Sequence, residues 1–135
     1  MGMQVLEILL RLRKVAVVGL SDKSDRDSYR VATFLQSKGF RIYPVNPSFD
    51  YWNGIKAYPS LTSIPRSEGI EIIDIFRRSE AVPDIVREAL PMKPKVIWMQ
   101  EGVISDQARV VAEKAGISVI MDKCMMKEYR RSVGD

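Results

Sequence analysis

Five short runs of almost unbroken apolar residues constrain the fold of this chain more than any other feature. They fall at residues 14–20, 40–45, 70–76, 95–99 and 117–121. Strands that are apolar all along their length are covered on both faces, as in a parallel sheet held between helices. The segments between the runs carry helical patterns, at about 4–13, 28–38, 79–90, 105–115 and 123–131. Gly39 and Gly116 mark helix ends, and Ser79 and Ser105 read as helix caps. Ile55–Lys56 and the next two residues read as a short extended piece inside a Pro- and Gly-punctuated stretch, 46–70. With right-handed crossovers the pattern predicts an α/β three-layer sandwich, a five-stranded parallel sheet with helices on both faces.

In such sheets ligands bind beyond the carboxyl ends of the strands, where strand order reverses. The search therefore narrows to the residues after Leu20, Val45, Phe76, Met99 and Met121. The first of these places is the most suggestive. Residues 14–29 read KVAVVGLSDKSDRDSY, an apolar run, then Gly19, then Ser21, Ser24, Arg26 and Ser28 leading into a helix. A strand, a glycine turn and a helix start form a cradle for phosphate, because unpaired N–H groups and the helix dipole favour an anion.

That loop has one glycine where a dinucleotide fingerprint has three. The second run ends in Pro44-Val45-Asn46-Pro47, with no carboxylate before Asp50, so the usual partner of an NAD ribose is missing. Lys23, Arg26, Arg77 and Arg78 instead suit a ligand with several phosphates, since guanidinium pairs bidentately with phosphate.

Absences exclude other chemistries. The 135 residues include no histidine, which removes Ser-His-Asp triads, Cys-His pairs and histidine metal sites. Cys124 stands alone, so no intrachain disulfide forms, in keeping with a reducing, cytoplasmic setting. The net charge of +4 comes from short, scattered clusters, Arg11/Arg13/Lys14, Arg77/Arg78 and Arg130/Arg131, rather than the dense stripe of a nucleic-acid binder. No apolar run reaches the ~20 residues of a membrane span. The N-terminal segment has its charges after its apolar part, unlike a signal peptide. The expectation is a single domain, 1–135, that is a monomer or small homo-oligomer, with neither nucleic acid nor membrane as partner.

Six pieces in order resemble a known family. They are VAVVGLS at 15–21, Arg26–Tyr29, YPVNP at 43–47, IDIFRRSEAVP at 73–83, KVIWMQEGV at 95–103 and MDKCMMKEYRR at 121–131. The chain resembles the small coenzyme A-binding proteins whose Rossmann-like fold is shared with the CoA-binding domain of the succinyl-CoA synthetase α subunit. The resemblance implies coenzyme A or acyl-CoA as the small-molecule ligand. It implies that Gly19, Leu20, Ser21 and Arg26 hold the pyrophosphate. Val45 and Asn46, with Tyr43 or Pro47, would lie against the adenosine. Phe76, Arg77 and Arg78, continuing to Val82, would border the nucleotide and the start of the pantetheine arm. Gln100 and Gly102 would line the path of that arm. The synthetase subunits also carry a second domain with a phosphohistidine, and relatives often have Glu-His in the last helix where this chain has Glu128-Tyr129.

Each residue also has a plainer reading. Gly19 serves as a tight turn, and Ser21 and Ser28 as loop and cap residues. Arg26 pairs with Asp22, Asp25 or Asp27, and Asn46 satisfies backbone groups at a strand end. Trp52 and Trp98 read as core or loop anchors. Cys124 reads as a small buried hydrophobe, or as a rim thiol able to form a mixed disulfide with the ligand thiol. Two main functional classes remain open, beside a minor reading as an adenine-nucleotide-sensing regulator. One is a binding module that carries, senses or protects coenzyme A without chemistry of its own. The other is an enzyme, either an NAD(P)-dependent oxidoreductase or a CoA-dependent ligase subunit that needs a partner chain.

Overall fold

The computed structural model describes residues 2–135. All five expected strands form, and all pair in parallel: β1 (Lys14–Val18), β2 (Arg41–Val45), β5 (Ile72–Ile75), β6 (Val96–Met99) and β7 (Ser118–Ile120). Their order across the sheet is β2-β1-β5-β6-β7. The chain leaves β1 to one side, returns across it, and continues on the other side. Strand order thus reverses between β1 and β5, and a crevice opens beyond their carboxyl ends.

Helices cover both faces, as alternating βα units require. On one face α1 (Val5–Arg11), α2 (Asp27–Ser37) and α5 (Met125–Ser132) pack on Val15, Val17, Ile72, Val96 and Trp98. On the other, α3 (Val82–Ala89) and α4 (Asp106–Lys114) pack on Ala16, Val18, Ile73, Ile75, Ile97 and Met99. Successive strand residues alternate between these two cores, so nearly every position of the inner strands has a buried destination, while Arg41 at the start of β2 stays exposed. The structure is thus the expected Rossmann-like α/β sandwich. No helix among the described residues is long and apolar enough to cross a membrane.

The differences from expectation are local. β1 stops at Val18 rather than Leu20, because Gly19 takes φ +85° and turns the chain out of the sheet. The extended piece at Ile55 is half of a hairpin, β3 (Tyr51–Trp52) with β4 (Ile55–Lys56), closed by Asn53-Gly54 at φ 47° and 81°. Two successive positive φ values make the turn that suits a hairpin's twist. Ser105 caps α4, accepting from Ala108 N–H at 3.1 Å. Ser79 does not cap α3; its Oγ accepts from Ile104 N–H at 2.9 Å, and a 3-10 turn over Ser79–Ala81 precedes the helix. Ser79 thereby ties the start of α3 to the loop after β6.

Candidate functional site

The crevice is a cleft of about 730 Å³, well inside the range of small-molecule sites. Its walls come from four chain segments: the loop after β1 with the start of α2, the residues after β5, those after β6, and the start of α5. Two helix N-termini border it, and neither carries a side-chain cap at its N-cap residue, Arg26 for α2 and Cys124 for α5. Uncapped N–H groups and two helix dipoles favour a negatively charged occupant.

The loop after β1 is held by buried and half-buried groups. Trp52 Nε1 donates to Ser21 O at 3.0 Å, and Asn46 Nδ2 donates to Leu20 O, also at 3.0 Å. Ser21 N–H donates to Ser28 Oγ at 3.0 Å, and Gly19 N–H to Val45 O at 3.0 Å. Those two loop donors are already engaged, so side chains must supply much of any anion recognition. On the opposite wall Trp98 Nε1 donates to Lys123 O at 2.8 Å and pins the approach to α5. Both tryptophans are buried anchors of the loops that flank the cleft.

Cations dominate the walls, and they divide into two groups. Arg30 pairs with Asp27, and Lys127 Nζ donates to Glu101 Oε1 at 2.9 Å. The Glu101 hydrogen bond holds Lys127 above the usual lysine pKa. Lys23, Arg26, Arg77 and Arg78 make no ion pair among the described residues, although Asp25 and Asp27 are near in sequence to Arg26. Four uncompensated cations around one cleft make a positive field suited to a polyanion.

The floor is an amide lying over a buried carboxyl. Gln100, 3% exposed, donates from Nε2 to Asp74 Oδ1 at 2.5 Å. Asp74 lies within β5 and is wholly buried. Burial pushes its pKa up to about 7, against the lowering effect of the Gln100 hydrogen bond.

A model of the CoA binding domain matches residues 13–130. The chain belongs to that family. The uncharacterized protein YneT of Bacillus subtilis (strain 168) is 41% identical to this chain over 122 residues, 90% of this chain and 89% of YneT. A hypothetical protein from Pyrococcus horikoshii OT3 has the same fold at a TM-score of 0.92 and 35% identity, over 98% of this chain and 94% of that one. Acetate–CoA ligase [ADP-forming] II of Archaeoglobus fulgidus is 33% identical over 78 residues, which are 56% of this chain and 11% of the ligase.

Of the positions that the family resemblance implies, Gly19, Ser21, Arg26, Phe76, Arg77, Arg78 and Gln100 come together on the cleft walls. Leu20 lies beneath them, its side chain wholly buried between the sheet and α2. Val45 and Val82 are buried in the core on the opposite face. Asn46 is engaged with backbone, receiving Ser48 N–H on Oδ1 at 2.8 Å while holding Leu20 O. Pro47 is exposed beside it, outside the cleft wall. Gly102 N–H donates to Asp122 Oδ1 at 2.7 Å, joining the loops after β6 and β7. Tyr43 faces away, its hydroxyl donating to Glu68 Oε1 at 2.8 Å, and burial pushes its pKa up to about 12. Cys124 is 8% exposed and contributes to the cleft wall.

The sequence reading missed Arg30, Val103, Met126 and Lys127 in the walls. Lys127 was findable: it stands three residues, about one helical turn, beyond the rim residue Cys124.

Proposed function

We propose that this chain binds coenzyme A or an acyl-CoA in the cleft beyond β1, β5 and β6. The pyrophosphate sits against the loop at Gly19, Leu20 and Ser21, met by Arg26. The adenosine lies toward Val45, Asn46 and Pro47. The pantetheine arm passes Phe76, Arg77, Arg78 and the start of α3 near Val82, then runs by Gln100 and Gly102. The observation that supports this most is the set of four unpaired cations on one cleft in a member of the CoA binding domain family. The protein acts as a binding module that carries, senses or protects the cofactor.

The test is the identity of the bound molecule. Absorbance near 260 nm and mass spectrometry of small molecules released from the purified protein are expected to reveal coenzyme A. In a thermal-shift panel of CoA, acetyl-CoA, NAD, NADP and ATP, the CoA compounds are expected to stabilise. Ligand at 100 times its Kd contributes about 2.7 kcal/mol. Stabilisation by NAD but not CoA overturns the proposal.

The similarity to acetate–CoA ligases favours a second reading, a ligase component that takes its catalytic groups from a partner chain. Acyl-CoA formation that appears only on adding a co-purifying protein would support that reading instead.

A further inference from the structure

Asp74 is the least expected residue of the interior. It lies in the central strand, in register with Val17 of β1 and Trp98 of β6, on the face that carries α2 and α5. Its Oδ2 is the one buried side-chain oxygen or nitrogen without a hydrogen-bond partner among the described residues. Its Oδ1 accepts from Gln100 Nε2, and Gln100 lines the cleft. An ionised carboxylate only accepts hydrogen bonds. It therefore draws the amide nitrogen of Gln100 toward itself and turns Oε1 the other way. Gln100 Oε1 has no partner among the described residues.

We propose that Asp74 is a positioning residue: its carboxylate fixes the Gln100 amide so that the cleft floor offers Oε1 as an acceptor, and ligand affinity is coupled to one proton on Asp74. The group received would be a neutral donor, such as an amide N–H of the pantetheine arm; this part rests on the coenzyme A reading. Protonated Asp74 carries a hydroxyl that can donate to Gln100 Oε1 instead, which turns the amide over and presents N–H groups to the cleft. One buried proton thus exchanges the floor between acceptor and donor.

The charged and titratable groups around the cleft are Lys23 and Arg26 after β1, Asp27 and Arg30 on α2, Arg77 and Arg78 after β5, Glu101 after β6, and Cys124 and Lys127 at α5. The two influences on Asp74 are its burial, which raises its pKa, and Gln100, which lowers it. The chain has no histidine, so no imidazole titrates near neutrality to confuse the measurement.

The experiment is calorimetric titration of CoA into the full chain from pH 6 to pH 8, repeated in buffers of different ionisation enthalpy. Wild-type affinity is expected to fall about tenfold from pH 8 to pH 6, one group titrating near the middle of that range. Asp74→Asn keeps an oxygen that accepts from Gln100 Nε2, and is expected to bind at pH 8 within a few-fold of wild type but with a flatter pH profile. The ligand's phosphomonoester, whose second pKa is about 6, contributes equally to both proteins, and dephospho-CoA removes it. Gln100→Leu is expected to weaken binding and lose the same slope, and it serves in place of Asp74→Asn if that variant does not fold. Binding of CoA with one slope in all the proteins overturns the role of Asp74 and leaves the coenzyme A reading standing. No binding of CoA at pH 8 overturns both.

Discussion

Gly19 and the carbonyl oxygen of Phe76 approach so closely that a Cβ on residue 19 would overlap that oxygen and stand 2.8 Å from Arg77 Cδ. The contact joins the loop after β1 to the residues after β5, across the point where strand order reverses. It also explains why a single glycine suffices here. That glycine satisfies both a left-handed φ and a close backbone approach, two requirements that usually exclude any side chain.

Gly19→Ala is therefore expected to destabilise by about 3 kcal/mol or more, combining left-handed strain with displacement of the β5 end. Urea denaturation measures this directly. A loss under 1 kcal/mol would mean that the two loops separate easily, and that the cleft is not held by this contact.

The unpaired cations are expected to carry affinity without carrying stability. Arg26→Ala and Arg77→Ala should each weaken CoA binding by about 10- to 100-fold, the loss of one charge-assisted hydrogen bond. Their unfolding free energies should stay within about 0.5 kcal/mol of wild type. Arg109 on α4 pairs with Asp106 and Glu113 away from the cleft, so Arg109→Ala is the control that should leave affinity unchanged. Unchanged affinity in both cleft variants would remove these arginines from the site.

Asp74 also sets a pH dependence of the ligand-free protein. Its folded pKa, raised to about 7, exceeds the unfolded value of about 3.9. The folded state thus holds the proton more tightly, and stability is present at low pH and lost as pH rises through 7. Asp74→Asn removes the buried charge, so it should raise Tm at pH 8 by an amount worth on the order of 1–3 kcal/mol. That advantage should shrink toward pH 5, where wild-type Asp74 is protonated. Equal Tm differences at pH 5 and pH 8 would show that Asp74 does not titrate in this range.

Trp98 tests the other wall. Trp98→Phe keeps an aromatic ring in the core but leaves Lys123 O without its donor. The expected cost is about 1–3 kcal/mol, with faster amide exchange over residues 121–127 and weaker CoA binding. A stable variant with unaltered exchange would separate the bond from the placement of α5.

The sheet was legible because its strands are buried on both faces. That burial writes nearly continuous apolar runs into the sequence at 14–20, 70–76 and 95–99, broken within the second only by Glu71 and Asp74. The hairpin partner Tyr51–Trp52 was not legible, because two residues are too few to show a period. The rim of the site followed from the strand ends alone, which is why Gly19, Arg26, Arg77 and Gln100 could be named together. Arg30 could not be, since a helix pattern does not say which cleft its first turn borders, whereas Lys127 could have been read from its place one turn beyond Cys124.

The sequence by itself determined the layering of strands and helices, the charge of the loops, and the absence of imidazole chemistry. These are properties of local pattern and composition. Only the tertiary structure decided that Arg26 stays unpaired while Arg30 takes Asp27, and that Asn46 is occupied with Leu20 O. It alone turned Asp74, in sequence a polar interruption of an apolar strand, into a buried carboxyl beneath Gln100. The physical reason is that desolvation and hydrogen-bond competition depend on which groups the fold brings together, and residues 74 and 100 meet only after β5 and β6 have paired.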